Sequence, residues 1–386
     1  MKSVALTIEQ NGGEKKRMVT LKDIAEKAGV STQLVSVVIN GKAEKYRISP
    51  ATSERIAQMA RQMGYDPENH RGARQMVARR NGHRIPSDVI AVCTVVHNDT
   101  APKAASGEHP SSIYDHPYTG DILHGIEAAA GKVGVDVLIC RHCAEKLPRL
   151  IERQEVDGVI VLAAGENVRA QIRELNLPTV NLINESASFH NITLADHQGI
   201  YEAVQYLAGL GHSDIAYIGH LVDPEAGRIY QASRRRFAGF QAAMLDCGLE
   251  AKYVDTSLNL QNLEVADAAM EGLWKKSRGK ITAVVCYNDI LAMGAILALQ
   301  KRGIQVPAEV SVTGLDDISQ QFAFTPSITS VFYDRFKLGQ RAVEILWDSR
   351  PQWLAGKKSK LVHEELPVKL ALRESTAPPR TKKETR

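Results

Sequence analysis

The 386-residue chain contains no run of about eighteen apolar residues, so no segment reads as a membrane-spanning helix. Its first residues, MKSVALTIEQNGGEKKRM, lack an apolar core long enough for a secretory signal, which predicts a cytoplasmic protein. Five cysteines in a chain of this size do not make a disulfide framework. Cys140 and Cys143, in CRHC, have ligand-like spacing, but only His142 stands near them. A zinc site needs about four ligands, so no metal is expected. Enzymatic signatures are missing too. Gly131-Lys132 fails the phosphate-loop pattern because Val133 replaces Ser or Thr, and neither G-x-S-x-G nor G-x-G-x-x-G occurs. No H-E-x-x-H joins two of the twelve histidines. The expectation is therefore no catalytic residue, no cofactor and no enzyme. No repeat of roughly 20 to 50 residues marks a solenoid.

What is present starts at Thr20. The stretch Thr20 to Asn40, TLKDIAEKAGVSTQLVSVVIN, reads as two short helices about a glycine turn. Thr20 can cap the first helix, and Asp23 three residues later can reach back to close a capping box. Ile24, Ala25 and Ala28 recur at helical spacing, and Gly29 supplies the left-handed turn. Ser31 can cap a second helix in which Leu34, Val35 and Val38 pack back on the first. Thr32, Gln33, Ser36 and Val37 then face outward. A helix-turn-helix sets its second helix in the major groove, N-terminal residues toward base edges. Gln33 can bond adenine in bidentate fashion, Val37 suits a thymine methyl, and Ser36 suits a phosphate. The competing reading is a helical hairpin of an unrelated small domain.

Charge divides along the chain. Residues 1–84 hold 16 Lys+Arg against 8 Asp+Glu, and the remainder 32 against 36, so +8 and −4 make up the overall +4. A basic head on a mildly acidic body is the footprint of phosphate binding at one end, although a solvated basic face has the same composition.

The segment resembles the DNA-binding headpiece of the LacI/GalR family of bacterial transcription regulators. The likeness rests on T-L-K-D-I-A-E-K-A-G-V-S, Val35-Ser36, Asn40-Gly41, Ile48-Ser49, Thr52, Arg55-Ile56 and Gly64-Tyr65. It implies DNA contacts from Thr20, Ser31, Thr32, Gln33, Ser36, Val37, Asn40 and Tyr65. Val37 stands where relatives often carry a polar or basic residue, so no operator sequence is inherited. Downstream, HRGARQMVARR resembles the family's hinge helix, with Ala73-Arg74-Gln75-Met76 in the place of its A-R-x-L pattern. By that resemblance Ala73, Arg74 and Met76 meet the minor groove, where Met76 acts as the apolar wedge that bends the duplex. The plainer reading of this stretch is a solvated basic linker.

From Asp88 onward apolar, β-branched runs alternate with helical stretches. The runs are Val89 to Val96, Val135 to Cys140, Val159 to Leu162, Thr179 to Ile183, Ile215 to Ile218, Thr282 to Cys286 and Val310 to Thr313. Buried parallel strands with crossover helices produce this rhythm, which predicts an α/β, doubly wound body large enough for two lobes. The body resembles the family's effector-binding core, similar to periplasmic sugar-binding proteins: two lobes, three crossovers and a ligand in the cleft. Pro117-Tyr118, Arg236-Phe237-Ala238-Gly239-Phe240, Asn288-Asp289 and Gly314-Leu315-Asp316-Asp317 are among the stretches that carry the likeness. It implies that Arg236, Asn288 and Asp316 are the polar effector contacts and Tyr118 the aromatic wall, which suits sugar hydroxyls and ring faces. Each type also has a structural use: a solvated arginine, a helix or turn cap, a core tyrosine. Asp196, Asp289 and Asp317 read as structural caps.

The expected organisation is a flexible lead-in over 1–17, a headpiece over 18–66, a hinge over 67–85, a core over 88–374 and a disordered tail over 375–386. Within the core, lobe 1 takes about 88–192 plus 333–352, and lobe 2 about 193–332 plus 360–374. The segment 97–116 is longer than the family's usual loop and reads as a lid or as disorder. The expected partners are double-stranded palindromic operator DNA, a small-molecule effector of sugar type and a second copy of the chain, with no membrane. The expected function is a transcriptional regulator, by default a repressor, whose operator affinity the effector modulates. The readings from other classes are a small-molecule transport receptor and an α/β metabolic enzyme.

Overall fold

The computed structural model describes residues 19–39, 42–44, 46–65, 86–94, 117–140, 147–162, 164, 166–219, 222–223, 228–229, 231–255 and 263–380. The expectations for residues 1–17, Asn40, the hinge with Ala73, Arg74 and Met76, the segment 97–116, the His142 and Cys143 positions and residues 381–386 lie outside the described residues. Contacts divide the chain into two units, 1–85 with 354–356, and 86–353 with 357–386.

In the first unit, α1 (Leu21–Ala28), α2 (Thr32–Ile39) and α3 (Pro50–Gln62) enclose a small core of Ile24, Ala25, Val35, Val38, Ile56, Ala60 and Tyr65. Thr20 and Asp23 form a complete capping box: Thr20 N donates to Asp23 Oδ2 at 2.7 Å, and Asp23 N to Thr20 Oγ1 at 3.3 Å. Gly29 ends α1 at φ 65°, a left-handed value for which glycine carries no Cβ penalty. Ser31 Oγ accepts from Leu34 N at 3.2 Å and Ser49 Oγ from Thr52 N at 3.2 Å, so α2 and α3 also begin on hydroxyl caps. Seven buried side chains are a thin core for three helices, and units of this size are correspondingly marginal.

The second unit is the α/β core. Lobe 1 opens with β1 (Val89–Cys93), α4 (Pro117–Val133), β2 (Asp136–Cys140), α5 (Arg149–Glu152), β3 (Gly158–Val161), α6 (Glu166–Leu175), β4 (Thr179–Leu182) and β5 (His190–Leu194). Lobe 2 follows with α7 (Asp196–Gly209), β6 (Ile215–Ile218), the short pair β7 (Val222–Asp223) and β8 (Arg228–Ile229), α8 (Gln231–Asp246) and β9 (Tyr253–Asp255). It continues through α9 (Leu263–Ser277), β10 (Ala283–Cys286), α10 (Asp289–Lys301), β11 (Ser311–Leu315) and β12 (Thr329–Phe332). The chain then forms α11 (Arg335–Leu354), β13 (His363–Leu366) and β14 (Lys369–Ala371).

Strands such as VIAVC, GVIV and AVVC are almost wholly buried, as parallel strands covered on both faces must be. The lobe 1 sheet has the order β13-β5-β4-β3-β1-β2, all parallel. The lobe 2 sheet has the order β14-β12-β11-β10-β6-β9, with only β14 antiparallel. The chain passes between lobes after β5, after β12 and after β13. Helices α4 and α11 meet backbone to backbone, since a Cβ at Gly125 would strike the Phe336 carbonyl and one at Gly339 the Ile122 carbonyl. That contact sets the start of α11 beside the first turns of α4, where Tyr118 lies.

Three boundaries differ from expectation. The stretch 360–374 does not belong to lobe 2 as a whole, because β13 pairs with β5 from His363↔Asn191 to Leu366↔Leu194, and only β14 returns to β12. A four-residue strand such as HEEL carries no label for the sheet it joins, so pattern alone misassigns it. The first passage likewise falls after Leu194. The tail is not disordered from 375 onward. Ser375 is fully buried, donates to the Val312 carbonyl and accepts from Thr329 N at 2.8 Å, and Ala377 N donates to Ser311 Oγ at 3.0 Å. Charged, proline-bearing composition could not reveal that these residues complete the pairing of β11 and β12. No helix among the described residues is long and apolar enough to cross a membrane.

Candidate functional site

On α2, the inward positions are filled by Val35 and Val38, and Leu34 packs beside them. The remaining face presents Thr32 and Gln33 exposed and Ser36 and Val37 half-buried. Ser31 precedes this face as its cap, and Thr20 is exposed at the cap of α1. Tyr65, expected at DNA, is instead 6% exposed and packed in the headpiece core, where burial raises its hydroxyl pKa. Gly64-Tyr65 reads as a surface turn after α3, and nothing local shows that the ring folds back beneath the helices.

The four expected effector residues come from four segments; the core joins Tyr118, Arg236 and Asp316 in one polar cluster between the lobes and sets Asn288 next to Tyr287, whose carbonyl receives Arg236. Arg236, on α8, is 3% exposed. Its Nε donates to Asp196 Oδ1 at 2.9 Å and its Nη1 to the Tyr287 carbonyl at 2.9 Å. The guanidinium also lies 4.2 Å from the Tyr287 ring centroid and 4.0 Å from Asp316 Oδ1. Burial pulls its pKa down, but Tyr287, Asp196 and Asp316 outweigh that and hold it well above the ordinary arginine value. Asn288 follows Tyr287 and caps α10, its Oδ1 accepting from Leu291 N at 3.0 Å.

Asp316 stands just past the C-terminal end of β11, at φ 100°, a conformation uncommon outside glycine. Its carboxyl is pushed up to about 6 by burial, against the opposing pull of Arg236 and Arg335. Tyr333 donates to Asp316 Oδ1 at 3.5 Å and shares a hydrogen bond with Tyr118 in the first turn of α4. Burial, with Asp316 beside it, raises the Tyr118 hydroxyl pKa as well. The chain of polar groups therefore runs from lobe 1 through Tyr118, Tyr333 and Asp316 to Arg236 and Asp196 in lobe 2. It lies at the carboxyl ends of the strands, where open α/β sheets place their ligands.

Several members of this cluster escaped sequence reasoning. Arg335, at the start of α11, donates through Nε and Nη2 to Asp121 Oδ2 at 3.0 and 2.8 Å and through Nη1 to the Asp316 carbonyl. It thereby ties α4 of lobe 1 to the end of β11 in lobe 2. Asp196 is not a cap: α7 has no side-chain cap, and the fully buried carboxylate receives Arg235 and Arg236. Asp289 does serve the frame, accepting from Ile318 N at 2.8 Å, Ser319 N at 3.2 Å and the Ser330 hydroxyl at 2.6 Å. Asp317 pairs with Arg373 at 2.6 Å. Among the described residues no three His, Cys, Asp or Glu side chains come together as a metal site. Such a cluster, rich in donors and acceptors beside tyrosine rings, suits a neutral polyhydroxylated molecule.

Comparison with known proteins matches a different family model in each of the two units. The family described as bacterial regulatory proteins, lacI family, matches residues 20–68, and the periplasmic binding protein-like domain matches residues 204–376. The chain belongs to the LacI family. The HTH-type transcriptional repressor PurR of Pasteurella multocida (strain Pm70) is 28% identical over 355 residues, covering 86% of this chain and 92% of that protein. The solved complex of the transcriptional regulator CelR with cellobiose has a TM-score of 0.60 at 24% identity, covering 92% of this chain and 99% of its own. The lac repressor dimer bound to operator and the anti-inducer ONPF has a TM-score of 0.60 at 23% identity, covering 94% and 100%. These two structures, at such identity, bear on the fold. As a LacI-family protein, the chain is a DNA-binding transcriptional regulator rather than an enzyme.

Proposed function

We propose that the protein is a cytoplasmic repressor that binds a palindromic operator as a homodimer and is modulated by a sugar or sugar derivative held between its two lobes. In this reading Thr32, Gln33, Ser36 and Val37 meet the bases and phosphates of a half-site, with Thr20 and Ser31 at the flanking backbone. Tyr118, Arg236, Asn288 and Asp316 meet the effector. Ala73, Arg74 and Met76 engage the operator centre, with Asn40 nearer the half-site. The observation that carries the effector reading is the buried polar cluster that draws Arg236, Asp316, Tyr333 and Tyr118 from both lobes to one place. The cellobiose held by CelR and the operator held by the lac repressor dimer support the same assignment.

Ligand and DNA then act through binding linkage. Coupling of this kind is typically about 1 to 3 kcal/mol and reciprocal, so each partner changes the affinity of the other by one factor. The test has two arms. The full chain should select a two-fold symmetric sequence from a random duplex library, with affinity falling steeply as salt rises. A consensus without symmetry would remove the homodimer. In a thermal-shift panel of sugars and purines, a sugar should raise the melting temperature and shift operator affinity. Stabilisation by purines alone would overturn the sugar assignment.

A further inference from the structure

The run Arg234-Arg235-Arg236 places three identical side chains in three environments. Arg234 is exposed, Arg236 is buried in the cleft, and Arg235 is half-buried where α8 meets lobe 1. Arg235 donates to Asp196 Oδ2 through Nε at 3.2 Å and Nη2 at 2.8 Å, and the same Nη2 reaches the Ile183 carbonyl at 2.8 Å. Its Nη1 lies 3.6 Å from Glu185 Oε1. One turn earlier, the Gln231 side chain accepts from Glu185 N and donates to the Glu185 carbonyl at 3.4 Å. The start of α8 therefore clasps the turn after β4 by its main-chain atoms. Ile183 in that turn has φ 71°, a left-handed value that is an outlier for a β-branched residue. It is held there by Arg235 on its carbonyl and by its own N–H to the Ile192 carbonyl at 2.7 Å.

The two arginines share one carboxylate. Asp196 is fully buried, with Oδ1 given to Arg236 and Oδ2 to Arg235. We propose that Arg235 is a positioning residue that couples the cleft to the 183–187 turn of lobe 1 through the Asp196 carboxylate it shares with Arg236. The regulatory meaning rests on reading the cleft as the effector site. A ligand that engages Arg236 changes what that guanidinium gives to Asp196. The carboxylate is fully buried between the two guanidinium groups, so it adjusts toward Arg235, and Arg235 carries the change to the strained turn. A charge-assisted fork is suited to this because its donors move as one rigid plane.

The test uses the full chain with neither DNA nor ligand and reads amide hydrogen exchange by mass spectrometry. Arg236→Gln perturbs the cleft side alone and should speed exchange of the 183–187 amides by about threefold or more. Arg235→Gln should do the same directly, and the double variant should add nothing to Arg235→Gln, since the two changes share one path. Arg236→Lys, which keeps the charge without the fork, gives the same reading if Arg236→Gln does not fold. Unchanged 183–187 exchange in the Arg236 variants, or effects that simply add, would overturn the proposal. A failure of operator or sugar binding would count against the effector reading alone, because neither partner is in this experiment.

Discussion

On the headpiece, the residues proposed to read DNA come from α2 and its caps and stand in solvent on a core of seven side chains. In the cleft, the residues proposed to hold the effector come from α4, α8, the α10 cap and the end of β11, and Arg236, Asn288 and Asp316 are each buried. The difference lies in what holds each side chain ready. Gln33 is exposed on α2, so in the proposed reading it meets a base edge without leaving a place in the headpiece core. Arg236 is already bonded to Asp196 and Tyr287, so an effector must join or rearrange an existing network. An exposed reading surface can therefore change specificity with little effect on stability, whereas the cleft cannot.

Three substitutions probe that contrast, in falling order of effect. Arg236→Ala should destabilise the core by about 3–5 kcal/mol in urea unfolding, because it leaves the buried Asp196 and Asp316 short of a partner. A loss as small as that of a surface substitution would mean that the cleft tolerates change as the headpiece does. Gln33→Ala should leave the unfolding curve in place and lower operator affinity by about 1–3 kcal/mol, with discrimination lost at one base position. A uniform loss across all duplexes, measured with position-substituted competitors, would make Gln33 a backbone contact instead. Thr20→Ala removes the hydroxyl that accepts from Asp23 N and donates to Asp23 Oδ2, leaving only the Thr20 N–H on Asp23, and should cost about 1 kcal/mol of headpiece stability. Faster amide exchange confined to α1 checks it; an equal change in the α/β core would contradict the independence of the two regions.

The legible parts of the fold are those where chemistry repeats locally. Strands β1, β3, β6 and β10 are uninterrupted apolar runs, and α1 shows its cap, its apolar stripe and its terminal glycine within ten residues. Strands β5, β9, β13 and β14 were not legible. HNITL, YVD, HEEL and KLA are short or polar, and they become strands because a neighbouring strand offers them hydrogen bonds. In the cleft, Tyr118, Arg236, Asn288 and Asp316 were reached through family resemblance. Asp121, Tyr333 and Arg335 were not, since Arg335 and its carboxylate partner are 214 positions apart.

By itself the sequence determined the helix pair with its caps, the split between a basic head and an α/β body, and the alternation that makes the body doubly wound. Those properties follow from interactions between residues a few positions apart, which any reading of spacing and charge can recover. Only the tertiary structure decided that Tyr65 is core, that β13 belongs to lobe 1, that Ser375 is anchored, and that three adjacent arginines serve three different ends. Burial and the sharing of a single carboxylate depend on which distant segments meet, and no local pattern along the chain specifies that.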